Sequence, residues 1–273
     1  MSKLTIGVLV GVSKTPAKEL AKVTGLGLHS CQVSSWDPAV WTDEVGKALI
    51  TAAREMGVTI TTFWAGYTGP RVWNFTEGPK TIGLVPPQFR AQRLAELKQA
   101  ARFAAALKLP SITTHVGFLP EDPNDAQYIG TVDALRELAT LCRELGIEFW
   151  FETGQETPVN LLRTIELIGT GNVGINLDPA NLILYGKANP IDALDVFGRY
   201  VRGVHAKDGL YPTDGRHLGK ETPLGQGKVN FPALVPKLKS LGFSGALTIE
   251  REIGGEQQIR DIKSAIELLR PLC

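Results

Sequence analysis

The chain has 273 residues, of which 43% are hydrophobic and 21% are charged, with 29 Lys and Arg against 28 Asp and Glu. This length suits one folded domain over residues 1–273, and the balanced charge argues against a nucleic-acid partner. The N-terminal apolar run is too short for a signal peptide or a membrane span, so we expect a cytoplasmic protein without membrane association.

Eight short β-rich runs recur along the chain, and stretches with helical periodicity separate them. The runs are Leu4–Val10, Leu28–Val33, Val58–Phe63, Ser111–Val116, Ile147–Glu152, Val173–Asp178, Arg202–His205 and Ala246–Glu250. Between Phe89 and Leu107, apolar residues at three- and four-residue steps predict one of the helices. Eight strands that alternate with helices predict an α/β fold, a single-domain (β/α)8 TIM barrel.

Two local patterns add to this prediction. Gly57, Gly146 and Gly242 each follow a helical pattern and precede a strand, as expected for glycines that terminate helices. The irregular stretch of residues 64–88 is rich in Gly, Pro and aromatic residues and follows the third strand. It is interpreted as a lid over a site or, alternatively, as a packing insertion or an oligomer contact.

The last four strands each end in a residue that can bind a metal ion. These residues are Glu152, Asp178, His205 and Glu250. Because parallel barrel strands deliver their C-terminal ends to one rim, these side chains are expected to share one divalent cation. Three carboxylates and one imidazole favour Mn²⁺, with Mg²⁺, Co²⁺ or Zn²⁺ as alternatives.

This ligand set predicts a specific kind of chemistry. An octahedral ion with four protein ligands keeps two open positions, which suit the adjacent oxygens of a hydroxy-ketone. Glu152 and Glu250 are then placed to remove and return a proton at the neighbouring carbon through an enediolate. The ligand set therefore predicts proton transfer beside a metal-bound carbonyl group.

Longer motifs carry a family resemblance. The segments FETG, NLDPAN, VHAKD and TIERE, with LGQGKVNFPALVPKLKSLGFSGALTIE across the last unit, resemble the xylose isomerase-like TIM-barrel superfamily of sugar phosphate isomerases and epimerases. The resemblance covers essentially the whole chain and implies an isomerase or epimerase that acts on a sugar, keto-sugar or sugar phosphate. It implies that Glu152, Asp178, His205 and Glu250 bind one divalent metal and that the two glutamates form the acid/base pair.

The chain departs from the ketose 3-epimerases of that family at two positions. Asn181 stands where they have a histidine, and Tyr211 stands where they have an arginine that holds substrate. The substrate is therefore expected to differ from theirs. The residues predicted to bind substrate are the rim residues His115, Asn181, Lys207, Asp208, Trp64 and Trp36.

Other functions stay open from the sequence. Proton abstraction followed by loss of a β-substituent would make a lyase or dehydratase on a keto-sugar, keto-glycoside or cyclitol. A DNA repair enzyme like endonuclease IV is a remote alternative, because that type needs a histidine-rich cluster of three metals and this chain has four histidines in all. The resemblance further implies a homo-oligomer, either a dimer or a tetramer, that acts on a small sugar.

Overall fold

The computed structural model describes residues 3–273 and shows a closed barrel of eight parallel strands. Each strand pairs with its sequence neighbours, and the first strand closes the barrel against the last. The barrel strands are β1 (Thr5–Gly11), β2 (Ser30–Ser35), β3 (Thr59–Ala65), β4 (Ser111–Thr114), β5 (Glu148–Glu152), β6 (Val173–Leu177), β7 (Val201–Ala206) and β10 (Ala246–Ile249). The predicted TIM barrel is confirmed. Residues 1 and 2 of the predicted domain lie outside the described part.

Helices cover the outside of the barrel. They are α1 (Pro16–Gly25), α2 (Asp43–Met56), α4 (Pro87–Ala106), α5 (Ala126–Glu144), α6 (Pro158–Ile168), α8 (Pro190–Phe197), α9 (Phe231–Ser240) and α10 (Gly255–Leu269). Two short helices, α3 (Gly78–Thr81) and α7 (Pro179–Leu184), lie in the segments that follow β3 and β6. A short antiparallel pair, β8 (Asp208–Gly209) and β9 (Glu221–Thr222), lies beyond β7 and was not predicted. Among residues 3–273, none of the helices has the length and apolar character required to cross a membrane.

Local chemistry explains where these elements begin and end. The Thr42 hydroxyl accepts a hydrogen bond from the backbone N–H of Val45 and so caps α2, and Gly57 ends this helix at φ 63°. Gly146 and Gly242 also have positive φ, as their positions after helical patterns predicted. Strand β6 ends one residue earlier than predicted, because Asp178 already caps α7.

The interior of the barrel is more polar than its outer layer. Apolar residues such as Leu49, Leu97 and Leu138 are fully buried between strands and helices. Inside the barrel, by contrast, the side chain of Gln32 on β2 hydrogen-bonds to Asn176 on β6. Because side chains alternate along a strand, Ser34 and Asp178, two positions after Gln32 and Asn176, lie on the same face and nearer the C-terminal rim. The polar interior therefore continues directly into the site.

Residues 66–86, between β3 and α4, form an ordered wall over that rim. The fully buried Arg93 of α4 donates hydrogen bonds from its guanidinium to the backbone carbonyl oxygens of four residues of this stretch, Thr68, Pro70, Thr81 and Gly83. Gly83 has φ 76°, and a Cβ there would lie 1.9 Å from the carbonyl oxygen of Val116. The wall is thus fixed both to α4 and to the loop after β4.

Candidate active site

Four side chains from the predicted strand ends meet at the C-terminal rim. One potential ligand atom from each of Glu152, Asp178, His205 and Glu250 lies within 4.8 Å of the other three. Glu152 ends β5 and Glu250 directly follows β10, and these two strands are separated by β6 and β7 in the barrel. The glutamates therefore reach the cluster from different sides, and the structure brings together the residues that the sequence singled out.

The geometry of this cluster fits a divalent cation. His205 Nδ1 lies 3.1 Å from Glu152 Oε1 and 3.1 Å from Glu250 Oε2. An octahedral cation with bonds of about 2.1 Å holds neighbouring ligand atoms about 3 Å apart. Asp178 Oδ2 is buried and accepts no hydrogen bond from residues 3–273, so it has a lone pair to offer. Oxygen ligands with one imidazole are a donor set that Mn²⁺ and Mg²⁺ accept.

A buried lysine compensates the negative charge of the cluster. Lys207 Nζ lies 3.3 Å from Asp178 Oδ2, 3.4 Å from Glu250 Oε2 and 2.8 Å from Glu252 Oε1. Burial would lower the pKa of Lys207, but these three carboxylates raise it well above its usual value. Burial favours a higher pKa for Glu250 as well, yet Lys207 and His205 hold it far below the usual range. Lys207 therefore stays charged.

Burial and neighbouring charges also shift the pKa values of Asp178 and His205. Burial raises the pKa of Asp178 to about 7, since Lys207 compensates only part of the cost of burying its charge. Burial also disfavours the charged form of His205, but Glu152 and Glu250 outweigh it and raise the pKa of this imidazole. Before a cation binds, a proton at this imidazole reduces the repulsion between the carboxylates. A bound cation would replace that proton.

The open space above the cluster is a cavity of about 270 Å³. Its wall is rich in tryptophan, and the guanidinium of Arg71 lies 4.3 Å from the ring centre of Trp36. The lining residues are Leu9, Ser34, Trp36, Trp64, Arg71, Trp73, His115, Glu152, Asn181, Leu184, Tyr185, Leu218, Glu250 and Glu252. Aromatic faces beside carboxylates are a common surrounding for a small polar ligand with apolar C–H faces.

Some of the predicted substrate-binding residues line the cavity, and others lie outside it. Four of them line the cavity, namely Trp36, Trp64, His115 and Asn181. Trp64 does more than form an apolar wall, because its indole N–H donates a hydrogen bond to Glu152 Oε2. His115 Nε2 lies 3.7 Å from Glu152 Oε1, and burial lowers the pKa of this histidine. Tyr211 lies outside the cavity and is 42% exposed.

Lys207 and Asp208 lie outside the cavity lining. Lys207 is bound to the carboxylates beneath the cavity, and its Nζ lies 3.3 Å from Asn181 Oδ1. The Asp208 carboxylate accepts hydrogen bonds from the backbone N–H groups of Gly225, Gly227 and Val229, as well as from its own neighbour Gly209. Both oxygens of Asp208 thus accept backbone N–H groups and organise a loop.

Some residues of the site were not singled out from the sequence. Arg71 and Trp73 belong to the irregular segment 64–88, where no periodicity indicates which side chains face the cavity. Gln32 lies on β2, whose sequence is SCQVSS, and its Oε1 lies 2.8 Å from His205 Nε2. A buried amide requires a polar partner, but the residue type alone does not say which residue that partner is.

The fold and the cluster define a TIM barrel with a candidate divalent-metal centre at its C-terminal rim. A family model described as xylose isomerase-like TIM barrel matches residues 20–272. The chain therefore belongs to the xylose isomerase-like TIM barrel family. A crystal structure of a xylose isomerase domain protein from Planctomyces limnophilus is 37% identical, with a TM-score of 0.93, and the match covers 98% of this chain and 97% of that one.

Two further relatives match only part of the chain. An inosose dehydratase of Geobacillus kaustophilus is 27% identical over 144 residues, and an uncharacterized protein of Methanocaldococcus jannaschii is 26% identical over 187 residues. The match to the inosose dehydratase covers 47% of this chain and 46% of that protein. The match to the uncharacterized protein covers 64% of this chain and 60% of that protein.

Two solved structures share the fold at low sequence identity. A xylose isomerase-like protein of Mycobacterium smegmatis in complex with magnesium is 18% identical with a TM-score of 0.71, over 99% of this chain and 97% of that one. A D-psicose 3-epimerase solved in the presence of D-fructose is 16% identical with a TM-score of 0.72, over 98% and 99% of the two chains. At these identities the likeness concerns the fold.

Proposed function

We propose that this protein is a divalent-metal-dependent isomerase or epimerase of a sugar or keto-sugar. The observation that carries the proposal is the convergence of two glutamates, one at the end of β5 and one directly after β10, on one cluster with Asp178 and His205. Membership of a family whose solved relatives include sugar epimerases supports it. Glu152, Asp178, His205 and Glu250 would hold the metal, with Mn²⁺ preferred.

The two glutamates would carry the proton transfers. A bound divalent cation would act as a Lewis acid that polarises the substrate carbonyl and acidifies the adjacent C–H bond. One glutamate would take the proton from that carbon, and the other would return a proton from the opposite side. Their placement on strands that are not neighbours gives them access to two faces of a substrate in the cavity.

The surrounding residues would position the substrate and the glutamates. Trp64 would orient Glu152 through the indole N–H, while Trp36 and Trp73 present apolar surface to the C–H faces of a sugar. His115 and Asn181 offer hydrogen-bonding groups at the cavity wall. Because Asn181 stands where the ketose 3-epimerases have histidine, we propose a substrate other than their free ketoses.

The proposal is tested by proton exchange in heavy water. Protein loaded with Mn²⁺ is incubated with a panel of ketoses, 3-keto sugars and sugar phosphates in D₂O, and the products are analysed by NMR and mass spectrometry. An isomerase or epimerase gives a product of unchanged elemental composition with deuterium at the carbon beside the carbonyl. Glu152→Gln and Glu250→Gln should each lower the exchange rate by about 10²–10⁴-fold, the usual contribution of acid/base groups.

A lyase or dehydratase is the second candidate, and the similarity to an inosose dehydratase favours it. The first proton removal would be the same, but a leaving group would depart from the β-carbon. Release of water or of an alcohol in the same assay would identify this reaction. The proposal of a sugar enzyme of either type fails if neither exchange nor elimination occurs across the panel while Mn²⁺ binds.

A further inference from the structure

We infer that Gln32 and Asn176 form a hydrogen-bonded relay that positions His205 so that Nδ1 is its metal-binding atom. The inference deepens the proposed function and rests on its metal site. Gln32 Oε1 lies 2.8 Å from His205 Nε2, and Gln32 Nε2 donates to Asn176 Oδ1 at 2.8 Å. All three side chains are buried inside the barrel, with at most 1% of any one exposed.

The direction of these hydrogen bonds determines which imidazole nitrogen carries hydrogen. Gln32 uses its amide nitrogen to donate to Asn176, so its oxygen faces His205. A carbonyl oxygen only accepts, and Nε2 of His205 must therefore bear the hydrogen. In a neutral imidazole the other nitrogen, Nδ1, then has a free lone pair. That atom is the one 3.1 Å from both glutamates.

The backbone leaves room for the relay at Gly203. This glycine lies on β7 two residues before His205, so both face the barrel interior. A Cβ at position 203 would come within 2.4 Å of Asn176 Oδ1 and 3.3 Å of Gln32 Nε2. A side chain there would push Asn176 away from Gln32. Glycine at this position thus provides the space that the hydrogen bond between the two amides requires.

The relay matters because the neutral imidazole of His205 has a second tautomer. Without an acceptor at Nε2, the hydrogen can instead reside on Nδ1, where it would bond to Glu152 or Glu250. That arrangement consumes the lone pair that a metal needs. Residues that fix the orientation and tautomer of a ligating histidine typically contribute about 10- to 100-fold in metal affinity. Gln32 is therefore a positioning residue that acts through His205.

Two matched variants separate this role from simple packing. Gln32→Leu removes the acceptor, whereas Gln32→Glu keeps an oxygen towards Nε2. In the second variant Asn176 can turn its amide, because its Nδ2 has no partner within residues 3–273. Calorimetric titration of metal-stripped protein with Mn²⁺ should show about 10- to 100-fold weaker binding for Gln32→Leu and near-normal binding for Gln32→Glu. Wild-type affinity in Gln32→Leu would overturn the inference.

A second measurement uses the unaltered protein and so does not depend on the folding of a variant. Nitrogen-15 NMR of histidine-labelled, Mg²⁺-loaded protein should show hydrogen on Nε2 of His205 and none on Nδ1. The opposite tautomer would overturn the inference. Neither readout requires turnover. Failure to find a sugar substrate would therefore contradict the proposed function but not the relay. Conversely, an active enzyme whose Gln32→Leu variant binds Mn²⁺ with wild-type affinity would contradict the relay but not the proposed function.

Discussion

The indole N–H of Trp64 on β3 donates a hydrogen bond to Oε2 of Glu152 on β5, while Oε1 of the same carboxylate faces His205 Nδ1 at 3.1 Å. The two carboxylate oxygens therefore have separate partners. One is held by the cavity wall and the other faces the cluster. This arrangement fixes the plane of the carboxylate that we propose as an acid/base group.

Trp64→Phe should reduce turnover more than substrate binding. The variant keeps an aromatic wall but removes the donor to Glu152, and a hydrogen bond to a charged group is worth about 1.5–3 kcal/mol, or about 10- to 100-fold in rate. Steady-state kinetics on a substrate found in the exchange assay checks this. Trp73→Phe is the control, because Trp73 lines the same cavity and is partly exposed. Equal losses in both variants would contradict the orienting role of Trp64.

Lys207→Met should destabilise the protein strongly when no metal is present. The variant leaves Asp178, Glu250 and Glu252 without their shared cation, and breaking a buried ion pair costs about 3–5 kcal/mol. Urea denaturation in EDTA measures the loss. Added Mn²⁺ should restore part of it, since the metal compensates the same carboxylates.

Lys98→Met is the matched control for that experiment. Lys98 pairs with Glu137 at the surface, where ion pairs contribute about 0–1 kcal/mol. If Lys207→Met in EDTA is no less stable than Lys98→Met, Lys207 does not compensate the charge of the cluster.

Glu156→Gln should change how stability depends on pH. Burial raises the pKa of Glu156 to about 7, whereas an unfolded glutamate titrates near 4.5. Between these values the folded state binds the extra proton, so the free energy of unfolding falls as pH rises. A shift of this size corresponds to about 3 kcal/mol.

The measurement compares wild type and variant by urea denaturation at pH 4.5 and pH 8. Other titrating groups cancel in the difference, and the wild type should lose about 3 kcal/mol relative to Glu156→Gln over this interval. Parallel pH profiles for the two proteins would show that Glu156 titrates normally in the folded state.

Arg93→Met should loosen the wall of residues 66–86. Arg93 donates to four backbone carbonyls of this segment, of which the carbonyl of Gly83 is buried, and a buried carbonyl that loses its hydrogen bond costs about 1–3 kcal/mol. Hydrogen exchange followed by mass spectrometry should show faster exchange over residues 68–83. Arg102→Met, an exposed position on the same helix, should leave this segment unchanged. Protection equal to wild type in Arg93→Met would mean that other contacts hold the wall.

The sequence predicted the barrel, and it predicted that Glu152, Asp178, His205 and Glu250 converge, because both depend on local information. Strand composition and residue type at the strand ends suffice when eight parallel strands share one rim. The relay from Gln32 could not be predicted in this way. Gln32 is 144 residues from Asn176 and 173 from His205, and an amide does not by itself indicate a ligand or a catalytic group.

Hydrogen bonds from backbone groups, such as those to Asp208, could not be predicted from the sequence either. The position of Asp208 just after His205 suggested a place in the cavity, but the backbone N–H groups of Gly225, Gly227 and Val229 turn towards its carboxylate. Backbone donors leave no pattern in residue types. Trp64 was predicted only as a substrate-binding residue, because its hydrogen-bond acceptor on β5 becomes visible only in three dimensions.

Asp178 divides its carboxylate between two tasks. Oδ1 accepts the backbone N–H of Asn181 at 2.9 Å and caps α7, which leaves Oδ2 for the cluster. Asn could keep the cap but would present an amide to the cluster, and Glu could reach the cluster but would displace the cap. Each of the two closest substitutes thus preserves one task and loses the other. In a saturation mutagenesis library selected for function, position 178 should therefore tolerate no replacement. No single substitution at this position keeps both tasks, so Asp178 cannot be exchanged in one evolutionary step.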